Sequence, residues 1–376
     1  MSAEMRRRLQ AVAPPGEREA ERRAWAVVRA AWEEREPVPR GRRLRPRVLV
    51  PVLVAAVVLA VAVTPAGPAV VHAFRDAVGA SEEPALTSLP SPGGRLLVSA
   101  GDGLWVVRAD GSKRRLGDYA DGDWSPHGLF VAAADGRQVY AVEPDSGDVR
   151  WAVPRRAAYD PRWMPGTGFR VAYRSGLVLR VVAGDGTGDR LLDARAAPVA
   201  PAWRPESPSV LAYADADGSF RLVNVDSGRT LWRTLAGPRP VALAWSSDGS
   251  RLAVASARRV RVVGSHGRTL RTVSVPRGRR VSEIAFGAQR LALVVRGTGA
   301  SAVVVVGGDG RHVLTRSPGV LEGLAWSPDR RRLLVGWPTG DGWLFLPVGG
   351  GSPLVVTELA GDFGGDFPRV LGWKGE

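Results

Sequence analysis

A chain of 376 residues with 45% apolar side chains can bury a full core, as one large domain or two ordinary ones. It contains no cysteine, which excludes disulfides, thiolate metal sites and cysteine nucleophiles. The net charge of +15 is almost wholly arginine, spread along the sequence beside Asp and Glu rather than gathered in the single stripe a nucleic-acid surface needs, so no nucleic-acid partner is predicted.

Residues 1–47 hold 13 Arg and 7 Glu. After Pro14-Pro15-Gly16, the stretch EREAERRAWAVVRAAWEERE places Ala24, Trp25, Val28, Ala31 and Trp32 at helical spacing, with acidic residues at the start to suit the helix dipole. It predicts an amphipathic helix over 17–36. Trp25, Val28 and Trp32 either dock on a cytoplasmic protein partner or lie at the headgroups of the inner leaflet.

Residues 48–71 run for 24 positions without a charge, and at about 1.5 Å per residue that covers a bilayer core of roughly 30 Å. Arg40, Arg42, Arg43, Arg45 and Arg47 stand just before this run, while Pro65 and Pro68 mark its far end. The arginines predict a single-pass cell-membrane protein whose first 47 residues stay cytoplasmic and whose chain beyond residue 72 is exported. Val71-His72-Ala73 is an alternative cleavage site, although 47 preceding residues are long for a signal peptide. A buried core helix is the third option, against which stands the absence of a polar face. Residues 72–89 read as a linker.

From Pro90 onward one phrase recurs, an aromatic, a polar turn and an apolar strand, as in AWSSDGSRLAVAS at 244–256. Its aromatics are Trp124, Trp163, Trp203, Trp245, Phe286, Trp326 and Trp373, with gaps between 34 and 47 residues counted from Pro90. A period near forty fits four short strands and their turns, which is one propeller blade. Asp-Gly and Asp-Ser-Gly hairpins recur inside the units, with Ser265-His266-Gly267 and Gly349-Gly350-Gly351 in their place in two of them, because Asp tolerates and Gly freely adopts the left-handed conformation such turns need. The prediction is all-β: a seven-bladed β-propeller of four-stranded blades over 90–376. FPRVLGWKGE at the C-terminus returns to supply the innermost strand of blade 1, which removes exposed sheet edges.

The residue before the aromatic is small at Ala202, Ala244, Ala285, Ala325 and Gly372, where inner strands converge on the axis. Asp123 and Arg162 break that pattern with opposite signs. They either pair, directly or through water, at the channel mouth or point separately to solvent.

Trp326-Ser327-Pro328-Asp329 followed by an apolar strand resembles the WD-repeat-like propellers of TolB type, a likeness covering residues 90–376. That resemblance implies periplasmic binding scaffolds or the propeller halves of peptidases. VYAVEPDSGDVRW and FRLVNVDSGRTLW also resemble quinoprotein-type repeats, through a D-S-G turn and the following Trp151 or Trp232. The layout of tail, span and exported domain is similar to a transmembrane anti-sigma factor, without that family's zinc cysteines.

Catalytic signatures are missing from the sequence. Lys113 and Lys374 follow no phosphate loop, no G-x-S-x-G occurs, and the four His (His72, His127, His266, His312) show no ligand spacing. No catalytic residue, cofactor or metal is therefore expected. The Asp-Gly clusters at 215–218, 184–189 and 362–366 read as hairpin turns, with a calcium site as the alternative. The sequence thus predicts a membrane-anchored, extracytoplasmic, non-catalytic scaffold binding a protein, glycan or small ligand, through loops such as 159–168 and 358–367. The alternative is a transmembrane regulator with the propeller as sensor.

Overall fold

The computed structural model describes residues 81–83, 86–166, 169–207 and 209–375. The predicted helix with Trp25, Val28 and Trp32 and the apolar run 48–71 lie outside the described residues. Among the described residues no helix is long and apolar enough to cross a membrane.

Seven antiparallel sheets follow one another along the chain. Blade 2 runs Asp121–Trp124, Val131–Ala134, Gln138–Val142 and Val149–Pro154 from inside out, and blades 3 to 6 repeat this order, beginning at Ala158, Ala202, Pro240 and Arg280. The inner strands touch in sequence around a ring, and that of blade 7 touches that of blade 1. Second strands are packed between neighbouring blades, so they are apolar without alternation: all of Val131–Ala134 and Val210–Ala214 is buried, whereas third strands such as Val178–Ala183 and Arg259–Gly264 keep partly open positions at Arg180 and Arg261. Outer strands keep one wet face, and in Thr269–Ser274 only Val273 is buried.

Blade 1 is completed by the C-terminus. Arg369–Lys374 pairs antiparallel with Arg95–Ala100, setting Trp373 opposite Leu96 and Gly372 opposite Leu97. Gly103–Val107 and Lys113–Gly117 finish that sheet.

Three features depart from the expectation. Blade 7 has five strands, not four: Ser81–Glu83, assigned by sequence to the linker, pairs parallel with the outer strand Leu354–Val356. Leu86 and Leu89 from the same stretch are buried in the core shared by blades 7 and 1. Tyr159 is not in a loop but in the inner strand Ala158–Trp163 of blade 3.

The third departure is the segment 358–367, expected to be a binding loop. It forms a short 3-10 turn, Ala360–Phe363, whose Phe363 is fully buried. Phe363 packs edge-on against Trp105 of blade 1 at 5.4 Å and against Trp343 of blade 7 at 5.9 Å, while Asp362 pairs with Lys113 at 2.7 Å. The segment is a clasp across the closing seam.

Candidate functional site

The repeat aromatics are structural plugs. Trp124, Trp163, Trp203, Trp245, Phe286, Trp326 and Trp373 end the inner strands and are all buried. Trp203, Trp245 and Trp326 also reach across to the preceding blade. Their indole Nε1 groups donate to the carbonyls of Arg162 (2.8 Å), Ala202 (3.1 Å) and Ala285 (3.1 Å), each the residue before that blade's own aromatic. A buried N–H must find an acceptor, and the edge strand of the neighbour offers one at each step. Trp124 breaks the series, because its Nε1 is buried without a partner, under the Arg95 guanidinium 5.1 Å from the ring. Trp373 turns instead to the Gly93 carbonyl at 2.7 Å.

Trp151 and Trp232, which carried the resemblance to quinoprotein repeats, perform a similar task at the rim. They donate to Gly184 O and Ser265 O, both at 2.7 Å, in the hairpin of the next blade. A side chain on Gly186 or Gly267 would run into those indoles, at 2.8 and 3.0 Å. The glycine of the turn is fixed by the tryptophan beside it.

Asp123 and Arg162 line one cavity of about 320 Å³ at the channel mouth, with Lys374. The close ionic neighbour of Arg162 is Asp121, at 3.8 Å, rather than Asp123. Asp123 accepts the Trp163 backbone N–H at 2.8 Å, joining blade 2 to blade 3. Burial pushes both carboxyls above the ordinary value, against the opposing pull of the Arg162 charge. Glu283 makes the matching link from blade 6 to blade 7, accepting from Gly323 N (3.1 Å) and Leu324 N (2.9 Å). These carboxylates hold neighbouring blades in register.

Carboxylates of the Asp-Gly clusters at 215–218 and 184–189 are likewise engaged by arginine, and Asp362 by Lys113. Asp215 is buried and binds Arg221 at 2.7 Å and Arg233 at 3.1 Å. Burial works against the charge on Asp189, but hydrogen bonds from Arg180 and Tyr173 outweigh it and hold that carboxyl below its ordinary value. Among the described residues no group of His, Asp or Glu is arranged to hold a metal ion.

One region carries a large excess of positive charge. Residues 234–320, blades 5 and 6 with their entry loop, hold 14 arginines and three acidic residues; the rest of the chain from residue 81 is near balance, 24 basic against 26 acidic. Asp248 and Asp309 sit in turns at the opposite end of the strands, and Glu283 is engaged as described. Arg239, Arg258, Arg259, Arg277, Arg279 and Arg280 all lie in or beside the loops joining second to third strands and one blade to the next, which share a face. All six are exposed, and their guanidinium groups make no ion pair or hydrogen bond with any described residue.

Two cavities open on this face. One, of about 580 Å³, is lined by Arg258, Arg279, Arg280 and Arg296 with Thr298 and Ser301. The other, of about 610 Å³, is lined by Arg239, Arg258 and Arg259 beside Val241, which is 41% exposed. Arg258 is common to both, so the basic surface is continuous. The sequence argument that arginine is scattered therefore fails in three dimensions, because residues twenty or more apart in the chain arrive at one sector.

No protein-family model matches the sequence, and no curated protein sequence matches it. Solved structures do match the fold. The β-propeller domain of Cps50 (Swd1) from Myceliophteria thermophila superposes with a TM-score of 0.53 at 13% identity, covering 64% of this chain and 86% of that one. Kluyveromyces lactis Hsv2 superposes with a TM-score of 0.54 at 13% identity, covering 70% and 93%. At such identities the likeness concerns architecture alone. This chain has the WD40-like seven-bladed β-propeller fold.

Proposed function

We propose that the protein is a non-catalytic binding scaffold, held at the membrane by residues 48–71 with its propeller outside the cytoplasm, and that it engages its partner through the arginine face of blades 5 and 6. The carrying observation is the row of six unpaired guanidinium groups on a closed ring in which many other arginines are matched to carboxylates or carbonyls. Self-repulsion makes such a sector unfavourable in isolation, so it fits a surface completed by something negatively charged. Loops on a rigid scaffold are where recognition is usually placed.

The absence of cysteine makes the test direct. Thr298→Cys on the arginine face and Ser250→Cys on the opposite face each give a single labelling site. In intact cells an impermeant maleimide should label both; labelling only after lysis sinks the exported placement. A thiol-anchored photocrosslinker should give discrete adducts from position 298 and none from 250. Equal adducts from both positions would remove the assignment of the face.

A further inference from the structure

The cavity of about 580 Å³ between blades 5 and 6 lies within the size range of small-ligand sites, roughly 300–1,000 Å³. Its walls bring Arg258, Arg279 and Arg280 together from two loops, with Arg296 at the edge. Arg296 is held in place: its Nε and Nη2 donate to Leu321 O at 3.2 and 2.9 Å, and Glu322 lies 4.0 Å away. The other three guanidiniums have no partner among the described residues, and Thr298 adds an exposed hydroxyl.

The bends of the wall are made by glycine. Gly278 and Gly299 have φ of +78° and +70°, a conformation that favours glycine, and a Cβ on either would meet nothing within 4 Å. The loops thus turn sharply while leaving the cavity open above them.

We propose that this cavity binds a phosphate-bearing ligand carrying at least two negative charges, with Arg258, Arg279 and Arg280 as its direct contacts. This deepens, and rests on, the reading of blades 5 and 6 as the binding sector. A guanidinium presents a planar fork of N–H donors that matches paired oxygens. One fork is satisfied by a carboxylate, whose two acceptors lie in a plane. Several forks converging from different loops need acceptors pointing in several directions around one centre, which a tetrahedral phosphate supplies. The second cavity, sharing Arg258, gives room for a ligand that extends beyond its phosphate.

The test is calorimetric titration of the full chain in phosphatidylcholine nanodiscs. Tripolyphosphate should bind saturably, one to one, and citrate at least tenfold more weakly. Arg279→Gln with Arg280→Gln should weaken tripolyphosphate at least tenfold, whereas Arg229→Gln with Arg268→Gln, on the opposite face, should leave it unchanged. The Arg279/Arg280 variant should also melt at a higher temperature at low salt without ligand, because repulsion is relieved, which separates lost binding from lost folding.

Phosphatidic acid nanodiscs, whose phosphomonoester headgroup approaches two negative charges, distinguish the source of the phosphate. A lipid headgroup competes and lowers tripolyphosphate affinity at least tenfold; a free ligand leaves it unchanged; both outcomes support the site. Unsaturable binding, equal affinity for citrate, or equal loss in both double variants would overturn it. If the position 298 adducts form while the parent chain fails to bind tripolyphosphate, the phosphate assignment falls and the scaffold reading stands.

Discussion

At the seam between blades 7 and 1 the buried side chains include Trp343, Phe345, Phe363 and Trp373, with Trp105 and Phe367 packed against them. At the seam between blades 5 and 6 they are valines, alanines and leucines, with Phe286 the one aromatic among the described residues of that cluster. The seam nearer the meeting of the two chain ends is the more aromatic of the two. Blades 5 and 6 are joined by a short covalent link, Val275 to Arg279. Residues 357–368 likewise carry the chain from blade 7 into blade 1, but the non-covalent joint of the ring lies just beyond, inside blade 1, where Arg369–Lys374 pairs with Arg95–Ala100. Large aromatic area, a clasp and a paired strand are all concentrated around that joint. The seam between blades 5 and 6, remote from it in the chain, carries the arginine excess on its face.

The most severe way to break this comparison is to delete residues 369–376, which removes the inner strand of blade 1. Loss of the cooperative melting transition is expected in calorimetry. Trp373→Ala alone should cost about 3–5 kcal/mol in urea denaturation; a cost under about 1 kcal/mol would mean the closing strand does not fasten the ring. Phe363→Ala should fall in the same range of about 3–5 kcal/mol, and Phe286→Ala at its lower end, since its neighbours are valines, alanines and leucines rather than aromatic rings.

Indole hydrogen bonding gives a finer contrast. Both changes shrink a buried plug, and Trp203→Phe should cost about 1 kcal/mol more than Trp124→Phe, one net hydrogen bond, because the N–H removed at Trp124 is already unpaired. Equal losses would show that the indole bonds carry no share of the seam.

The channel mouth tests whether uncompensated charge is confined to blades 5 and 6. Burial raises the pKa of Asp121 and Asp123 in the folded chain. The folded state therefore holds these protons more tightly than the unfolded chain does. Their contribution is favourable below the unfolded pKa and is lost as pH rises through the folded one. Asp123→Asn keeps an acceptor for the Trp163 amide and should be more stable than the parent at pH 7 and indistinguishable near pH 3, a difference read from melts across that range. Smallest of all, Lys113→Met should cost at most about 1 kcal/mol, because the pair with Asp362 is largely surface and the methionine preserves contact with Phe363.

The aromatic plugs and the closing strand were legible because they are periodic, and Trp373 lies opposite Leu96 as the repeat required. The entry strand was not. Ser81-Glu82-Glu83 has no strand pattern of its own and gains its conformation from pairing with Leu354–Val356. Segment 358–367 was misjudged from its glycines and aspartates, although Phe363 and Phe367 were the signal of burial. Asp123 and Arg162 stand out in the sequence as exceptions to the small-residue rule, but the nearer charge to Arg162 is Asp121, two residues from Asp123 on the same strand, which no rule of the repeat singles out. The arginine sector was invisible because its members come from separate loops and only blade geometry gathers them.

Ser81–Glu83 also bears on how the ring would respond to tension from upstream. The chain enters through three residues laid along the rim of blade 7, while the fastening strand Arg369–Lys374 is sheltered at the axis. A pull from the N-terminal side would load that short rim pairing first and peel it away, dissipating the force before it reached the closure. The entry strand would then yield while the closing strand stayed paired.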